Sequence, residues 1–226
     1  WAKQVPVLYV PYLFFPVKTK RQTGFLIPEL QHSDRKGVEY RQPFFWAINE
    51  STDATFYFHH MGQRGQRLGF EYRRFFDEDS KLAVLYDYLD DHKVSKDIGD
   101  DRFGFDHDSW FRTNTPRYWF RAKYDQVLPK GFSALLDIDY VSDQDYLREF
   151  RDGYAGFRET EKHFEKIFDR DMDDYTDTTR TNRLNLNKSW THYNLDASLL
   201  WYDNIIERRW ESLDDIGITE LMQFIK

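Results

Sequence analysis

The sequence predicts an all-β fold built of antiparallel strands. Apolar and polar residues alternate along most of the 226-residue chain, which is typical of strands with one apolar and one polar face. The alternating segments are roughly nine to eleven residues long, the length at which a tilted strand crosses a bilayer. Short connections alternate with longer ones, as in transmembrane barrels, whose short turns and long loops lie on opposite sides of the membrane. These observations favour part of an antiparallel transmembrane β-barrel, but a soluble β-sandwich or a lipocalin-like barrel would show the same alternation.

About nine segments carry the strand pattern. In 117–125, for example, the even-numbered positions are apolar and the odd-numbered positions are charged, apart from Trp119. In chain order, the predicted strands are 24–32, 37–46, 53–61, 66–73, 81–88, 117–125, 131–140, 180–190 and 192–201. An odd number of strands does not close an even-numbered barrel, and an open edge cannot face lipid. The chain is therefore expected to be an internal piece of a larger barrel.

The connections are predicted to differ between the two ends of the strands. The tight ones are 48–52, 77–80, 127–130 and 190–191. The other connections include two long, acidic segments, 91–116 and 141–179, which are expected to be extracellular loops, with the tight turns in the periplasm. Within the second segment, the spacing of Phe157, Phe164, Ile167 and Phe168 predicts a helix around 156–170.

Composition excludes several classes of function. A net charge of −7 argues against nucleic acid as a partner. No apolar run approaches the roughly 20 residues of a membrane-spanning helix. His59 and His60 are adjacent and point to opposite faces of a strand, so they do not form a joint metal site. No arrangement of residues suggests catalysis, a metal site or a cofactor, and Trp1-Ala2-Lys3 does not begin a signal peptide.

Two features favour the membrane barrel over a soluble sheet. Large aromatic residues lie near the ends of the apolar faces, where the aromatic girdles of membrane barrels lie. The opposite faces carry enough charge to line a water-filled lumen. The residues predicted to face that lumen are Arg67, Glu71, Arg73, Arg117, Arg121, Lys123, Asp137 and Asp139.

Three motifs near the start of the chain add a specific resemblance. The first is Arg-Gln-Thr-Gly-Phe-Leu-Ile-Pro at 21–28. The second is Pro-Phe-Phe-Trp-Ala-Ile at 43–48, followed by Asp-Ala-Thr at 53–55. The third is Arg-Gly at 64–65 with Glu-Tyr-Arg at 71–73. In this order and spacing they resemble the start of the β-barrel in the LptD family of lipopolysaccharide-assembly proteins, also known as organic-solvent-tolerance proteins, of the Gram-negative outer membrane.

The resemblance implies a location, a function and partners. Residues 1–17 would be the end of a periplasmic jelly-roll domain and the crossing into the barrel, 18–203 the N-terminal part of the barrel, and 204–226 a loop or the next strand. The implied function is transport of lipopolysaccharide and its insertion into the outer leaflet of the outer membrane. The implied partners are lipopolysaccharide, membrane lipids, a lipoprotein plug inside the barrel and a periplasmic jelly-roll bridge protein.

The resemblance also assigns roles to two sets of residues. Pro28 and Pro43, in the first two predicted strands, would weaken a lateral gate, because proline removes a hydrogen bond from the ladder. Without the resemblance, the two prolines are interpreted as residues at a strand start or on an edge strand, where proline is tolerated. The apolar residues of the crossing segment would form a wall for the acyl chains: Val7, Leu8, Tyr9, Leu13, Phe14 and Phe15. The alternatives are a passive outer-membrane pore and, less favoured, a soluble β-sandwich binding module.

Overall fold

The computed structural model describes residues 21–93, 115–143 and 145–206. Residues 1–17, which include the predicted wall for the acyl chains, lie outside these ranges. So do most of the connection 91–116 and nearly all of 204–226, and the predictions for these parts stay predictions. The strands are β1 (Gly24–Phe25), β2 (Glu29–Ser33), β3 (Gly37–Asn49), β4 (Thr52–Met61), β5 (Gly65–Phe75), β6 (Lys81–Asp90), β7 (Pro116–Leu128), β8 (Phe132–Val141), β9 (Thr179–Ser189) and β10 (Asn194–Asn204). The helices are α1 (Tyr146–Glu149) and α2 (Phe157–Phe168).

All the described strands form one antiparallel sheet. Its order is β1-β3-β4-β5-β6-β7-β8-β9-β10, and β2 continues the edge formed by β1. Within the described residues the sheet has two free edges, β1 with β2 at one side and β10 at the other, and does not close. The antiparallel all-β prediction is confirmed. None of the helices in the described ranges has the length and apolar character needed to span a membrane.

The predicted first strand, 24–32, is two strands in the structure. β1 ends at Phe25 and β2 begins at Glu29, so residues 26–28 interrupt the edge of the sheet. The other eight predicted strands are present, several of them longer than predicted. Because neighbouring strands run antiparallel throughout, the two longest connections lie at the same end of the sheet, as the sequence predicts, together with the three-residue connections 34–36 and 62–64.

One face of the sheet, called here the outer face, is apolar. A row of aromatic residues crosses seven strands in register on this face: Phe25, Phe44, Phe56, Phe70, Tyr86, Phe120 and Tyr140. Several of its large side chains are exposed, among them Leu68 at 54% and Leu199 at 60%. A soluble domain rarely exposes so extended an apolar surface without a partner.

The opposite face is charged and is covered by residues 142–178, called here the covering segment. Arg67 and Arg121 of this face both donate to the backbone carbonyl of Ala155, at 2.8 and 3.2 Å. Arg170 of the covering segment donates to Asp125 at 2.6 Å and to Asp137 at 2.8 Å. The sequence placed this segment among extracellular loops, whereas in the structure it packs along the sheet.

Helix α2 explains why the covering segment stays on the charged face. Phe164 and Phe168 pack with Ala83 and Leu85 of β6, and both phenylalanines are buried. Phe157 joins a second buried cluster around Trp119. The predicted helix is therefore confirmed, and its apolar side is turned towards the sheet because burial of large aromatic side chains is favourable. Gly156 and Asp169 flank the helix, and Asp169 has the left-handed backbone typical of a helix C-terminus.

Candidate functional site at the first strand

The hydrogen-bond ladder between the first strand and β3 is incomplete at Pro43. In an antiparallel sheet the N–H and C=O of one residue point to the same neighbouring strand, and successive residues alternate. Val38 accepts a bond from Gly62 beyond β4, so the odd-numbered residues of β3 face the first strand. Leu26 N donates to Pro43 O at 3.0 Å, which continues the pairing of Phe25 with Phe44. The return bond to Leu26 O is missing because proline has no N–H.

Pairing resumes in a shifted register beyond Pro28. Glu29 lies opposite Arg41, so three residues of the first strand, 26–28, face two residues of β3, 42 and 43. This extra residue is a bulge, which locally bends an edge strand. Since Glu29 faces β3, the preceding Pro28 turns its nitrogen towards the free edge of the sheet. Pro43 therefore lacks a donor towards β3, and Pro28 lacks a donor towards the strand that adjoins the free edge.

Ion pairs hold the first strand on both sides of this break. Before it, Arg21 Nη1 lies 2.7 Å from Asp53 of β4, and Arg73 of β5 also contacts Asp53 at 2.7 Å. After it, Arg41 Nη1 lies 3.0 Å from Glu29. The Asp53 side chain is 1% exposed, and charge-assisted bonds of this kind are the stronger ones in proteins. The break is thus a local weakness between two anchored ends.

The three sequence motifs meet at Asp53. Arg21 comes from the first motif, Asp53 from the second and Arg73 from the third. The first motif also contributes Thr23, whose Oγ1 accepts a bond from Ala47 N at 3.1 Å. The residues that carry the resemblance therefore attach the start of the first strand to the sheet.

The covering segment also reaches the break. Tyr154 donates from its hydroxyl to Ile27 O at 3.3 Å, and its ring lies 6.3 Å from that of Tyr57. Burial and the charge of Glu29 raise the pKa of Tyr154, so the hydroxyl keeps the proton it donates. Gly153 packs so closely on Arg41 that a side chain there would lie 2.5 Å from Nη1.

The predicted lumen-facing residues all lie on the covered face of the sheet. They are Arg67, Glu71, Arg73, Arg117, Arg121, Lys123, Asp137 and Asp139, joined across the strands in register. Most are buried and paired, rather than free in a wet channel. Asp87 lies between Arg67 and Arg121, and Arg180 pairs with Asp139. That this face borders a lumen stays a prediction.

A second charged cluster ties the covering segment to the end of the sheet that carries the longer connections. Arg64 and Arg117 both contact Asp91, and each lies 2.7 Å from Glu149 of α1. Burial disfavours the charge on Asp91, but hydrogen bonding and the charges of both arginines outweigh it and lower the pKa of this carboxyl. The charged Asp91 thus holds the two arginines that Glu149 of α1 contacts, and stabilises this cluster at neutral pH.

Sequence reasoning missed the contacts of three residues in this site. Gln42 donates to Leu26 O at 2.9 Å, Tyr154 caps Ile27, and Asp53 joins the motifs. A signal for Gln42 was present, because it is a polar residue on the apolar face of its strand and directly precedes a proline. Tyr154 gave no signal, since nothing in the local sequence shows which part of a long connection returns to the sheet.

Comparison with known proteins identifies the family. A family model described as LptD protein matches residues 1–127, which include both prolines of the break and all three motifs. The chain belongs to the LptD family. The resemblance predicted from the motifs is therefore confirmed.

Relatives in this family show how much of such a protein the chain represents. The LPS-assembly protein LptD of Pseudoalteromonas translucida is 32% identical over 156 residues, covering 69% of this chain and 19% of that protein. The protein of the same description from Idiomarina loihiensis is 30% identical over 179 residues, covering 78% of this chain and 21% of the relative. That from Alkalilimnicola ehrlichii is 35% identical over 152 residues, covering 66% and 17%. The chain spans about a fifth of the length of these curated relatives.

Proposed function

We propose that this chain is the N-terminal part of an outer-membrane β-barrel that transports lipopolysaccharide and inserts it into the outer leaflet through a lateral gate. Lipopolysaccharide joins a large anionic sugar part to several acyl chains. The sugar part needs a polar passage, and the acyl chains need a side exit into the membrane. The exit lies beside the first strand. The relatives are LPS-assembly proteins, which supports lipopolysaccharide as the substrate.

The observation that carries the proposal is the break at Pro28 and Pro43. Both prolines lie at or beside the free edge of the described sheet, and each removes one backbone donor from the pairing of the first strand. A strand with missing bonds separates from its neighbour at lower free energy. Ion pairs at Asp53 and Arg41 keep the separated strand attached, so the gate can close again.

The apolar outer face supports the location. Its exposed aromatic and aliphatic side chains suit contact with membrane lipids, whereas polar groups on this face are few. The other proposed partners are a lipoprotein plug and a periplasmic bridge protein, and nucleic acid is not among them. The proposal includes no catalytic step.

A passive pore is less well supported than transport through a gate. An open pore needs water along its charged wall, but the covering segment packs against that wall from β5 to β9. The buried arginines there bind backbone carbonyls and carboxylates rather than solvent. Solute conductance of the isolated full-length protein would be low under the proposal and high for a pore.

The test replaces both prolines in the full-length protein by Pro28→Ala with Pro43→Ala. Each change restores one N–H, worth about 0.5–1.5 kcal/mol net per hydrogen bond. One restored donor points towards β3 and the other towards the strand at the free edge, so the opening equilibrium on each side shifts by roughly two- to twelvefold. We expect a folded, normally abundant barrel, reduced lipopolysaccharide at the cell surface and greater sensitivity to large apolar antibiotics. Pro116→Ala, at the start of β7, is the matched control. Normal surface lipopolysaccharide from a normally abundant double variant would refute the gate.

A further inference from the structure

Gln42 is a polar residue on the apolar outer face. It lies in β3 between Tyr40 and Phe44 and is directly opposite Phe58 of β4. An apolar groove of the outer face surrounds it, lined also by Phe25 and other aromatic side chains. A side-chain amide in such surroundings is unfavourable unless its donors and acceptor are bonded. The contacts of this amide therefore indicate why a glutamine occupies the position.

Both the nitrogen and the oxygen of the Gln42 side-chain amide form hydrogen bonds. Its Nε2 donates to Leu26 O at 2.9 Å and to Pro43 O at 3.1 Å. Its Oε1 accepts a bond from the hydroxyl of Tyr40 at 2.8 Å. Tyr40 thereby fixes the orientation of the amide, with Nε2 turned towards the first strand.

Leu26 O is the acceptor that Pro43 leaves without its backbone donor. In a complete ladder, residue 43 would donate to Leu26 O in return for the bond from Leu26 N. Gln42 supplies the missing donor from its side chain, at the position where the backbone cannot. A side-chain bond of this kind can be broken without disturbing the rest of β3, because rotation of one side chain suffices.

We propose that Gln42 is the latch of the lateral gate and that Tyr40 is its positioning residue. This inference rests on the proposed function. The prolines lower the free energy at which the first strand separates, and the latch sets how often separation occurs. Closure at the break depends on a rotating side chain, so Leu26 O is released and bound again without a backbone donor at residue 43.

The chain contains a matched arrangement elsewhere. Tyr124 donates to Gln126 Oε1 at 2.6 Å, and Gln126 Nε2 donates to Val127 O at 2.8 Å. Here Val127 faces β6 just beyond its last pair, Lys81 with Asp125, and Gln126 Nε2 also donates to Ser80 Oγ at 3.3 Å. Gln126 therefore has the same bonds to its own strand as Gln42 but makes no bond to the first strand, which makes Gln126→Leu a suitable control.

The test measures amide hydrogen exchange in residues 22–30 of the full-length protein in detergent, without lipopolysaccharide. Gln42→Leu should speed exchange there by roughly two- to twelvefold, the equivalent of one hydrogen bond. Tyr40→Phe, which leaves the amide in place, should give a smaller increase. Gln126→Leu should leave exchange in 22–30 unchanged. In a Pro43→Ala background the restored backbone donor should remove most of the effect of Gln42→Leu.

Two results would overturn the latch. One is an effect of Gln42→Leu no larger than that of Gln126→Leu. The other is an effect equally large with and without Pro43. Surface lipopolysaccharide, measured separately in cells, distinguishes this failure from failure of the proposed function. If Gln42→Leu speeds exchange but the double-proline variant delivers lipopolysaccharide normally, the latch is supported and the gate is refuted. If the double-proline variant blocks delivery but Gln42→Leu leaves exchange unchanged, the gate is supported and the latch is refuted.

Discussion

Tyr154, in the segment that covers the charged face, donates a hydrogen bond to the backbone carbonyl of Ile27 at the break in the first strand. The two residues are 127 positions apart in the sequence. The adjacent carbonyl, Leu26 O, is bonded from the outer face by Gln42. Two side chains from opposite faces therefore complete the hydrogen bonds of one interrupted strand. This contact links the covering segment to the first strand.

The first prediction concerns this coupling. Tyr154→Phe removes the hydroxyl and keeps the ring beside Tyr57. Loss of one net hydrogen bond should speed amide exchange in residues 22–30 by roughly two- to twelvefold. The control is Tyr175→Phe, because Tyr175 lies in the same segment but packs against Phe157, away from the first strand. Equal exchange in the two variants would show that the covering segment does not restrain the first strand.

The second prediction concerns the attachment of α2. Phe164 is 1% exposed and packs with Ala83 and Leu85 of β6. Phe164→Ala should cost roughly 3–5 kcal/mol of docking free energy, since it leaves a cavity under the helix. Amide exchange within α2 should then rise by about a hundredfold or more. Lys162→Ala, whose side chain is 70% exposed, should change exchange little. Similar exchange in both variants would mean that α2 is held by its ionic contacts alone.

The third prediction concerns acid. Its ion partners hold the pKa of Asp91 below its ordinary value of 3.8. A depressed carboxyl pKa contributes stability that is complete above the ordinary value and is lost as pH falls through the folded-state value. Docking of α1 should therefore be constant between about pH 7 and pH 5 and should weaken only below about pH 4. Protease cleavage in residues 149–156, measured across this range, reports the change.

Asparagine variants separate this effect from general acid unfolding. Asp91→Asn should loosen the segment already at neutral pH, because the carboxylate that positions Arg64 and Arg117 beneath Glu149 is lost. It should also flatten the acid response. Asp77→Asn is the control, since Asp77 is exposed in the turn after β5 and bonds only to that turn. An unchanged acid response in Asp91→Asn would assign the loosening to another group.

The strands and their faces could be predicted because alternation is local. In β7, every second residue from Arg117 to Asp125 lies on the covered face, as the sequence indicates. The helix at 157–168 was predictable for the same reason, since three phenylalanines recur at helical spacing. Patterns of this kind depend only on side chains a few positions apart.

The break and its closure could not be predicted because they depend on register and on distant residues. The shift of one residue between the Phe25–Phe44 and Glu29–Arg41 pairs leaves no mark on the alternation. The side on which the covering segment packs depends on buried arginines that need acceptors, such as Arg121 with Ala155 O. Neither the arginine nor the carbonyl reveals its partner in the sequence.

The last prediction tests whether the outer face contacts lipid. Phe70 lies at the middle of β5 on that face, and Gln66 lies near the end of the same strand on the same face. In a membrane barrel, an arginine at mid-depth costs about 2–4 kcal/mol and one near the interface about 0–1 kcal/mol. Phe70→Arg should therefore lower the free energy of unfolding in lipid vesicles far more than Gln66→Arg. In a soluble protein that leaves this face open to water, both changes would stay within about 0.5 kcal/mol. Denaturant titration of the full-length protein in vesicles measures the difference. If the two variants were equally stable, neither the membrane barrel nor a gate opening into lipid could be maintained.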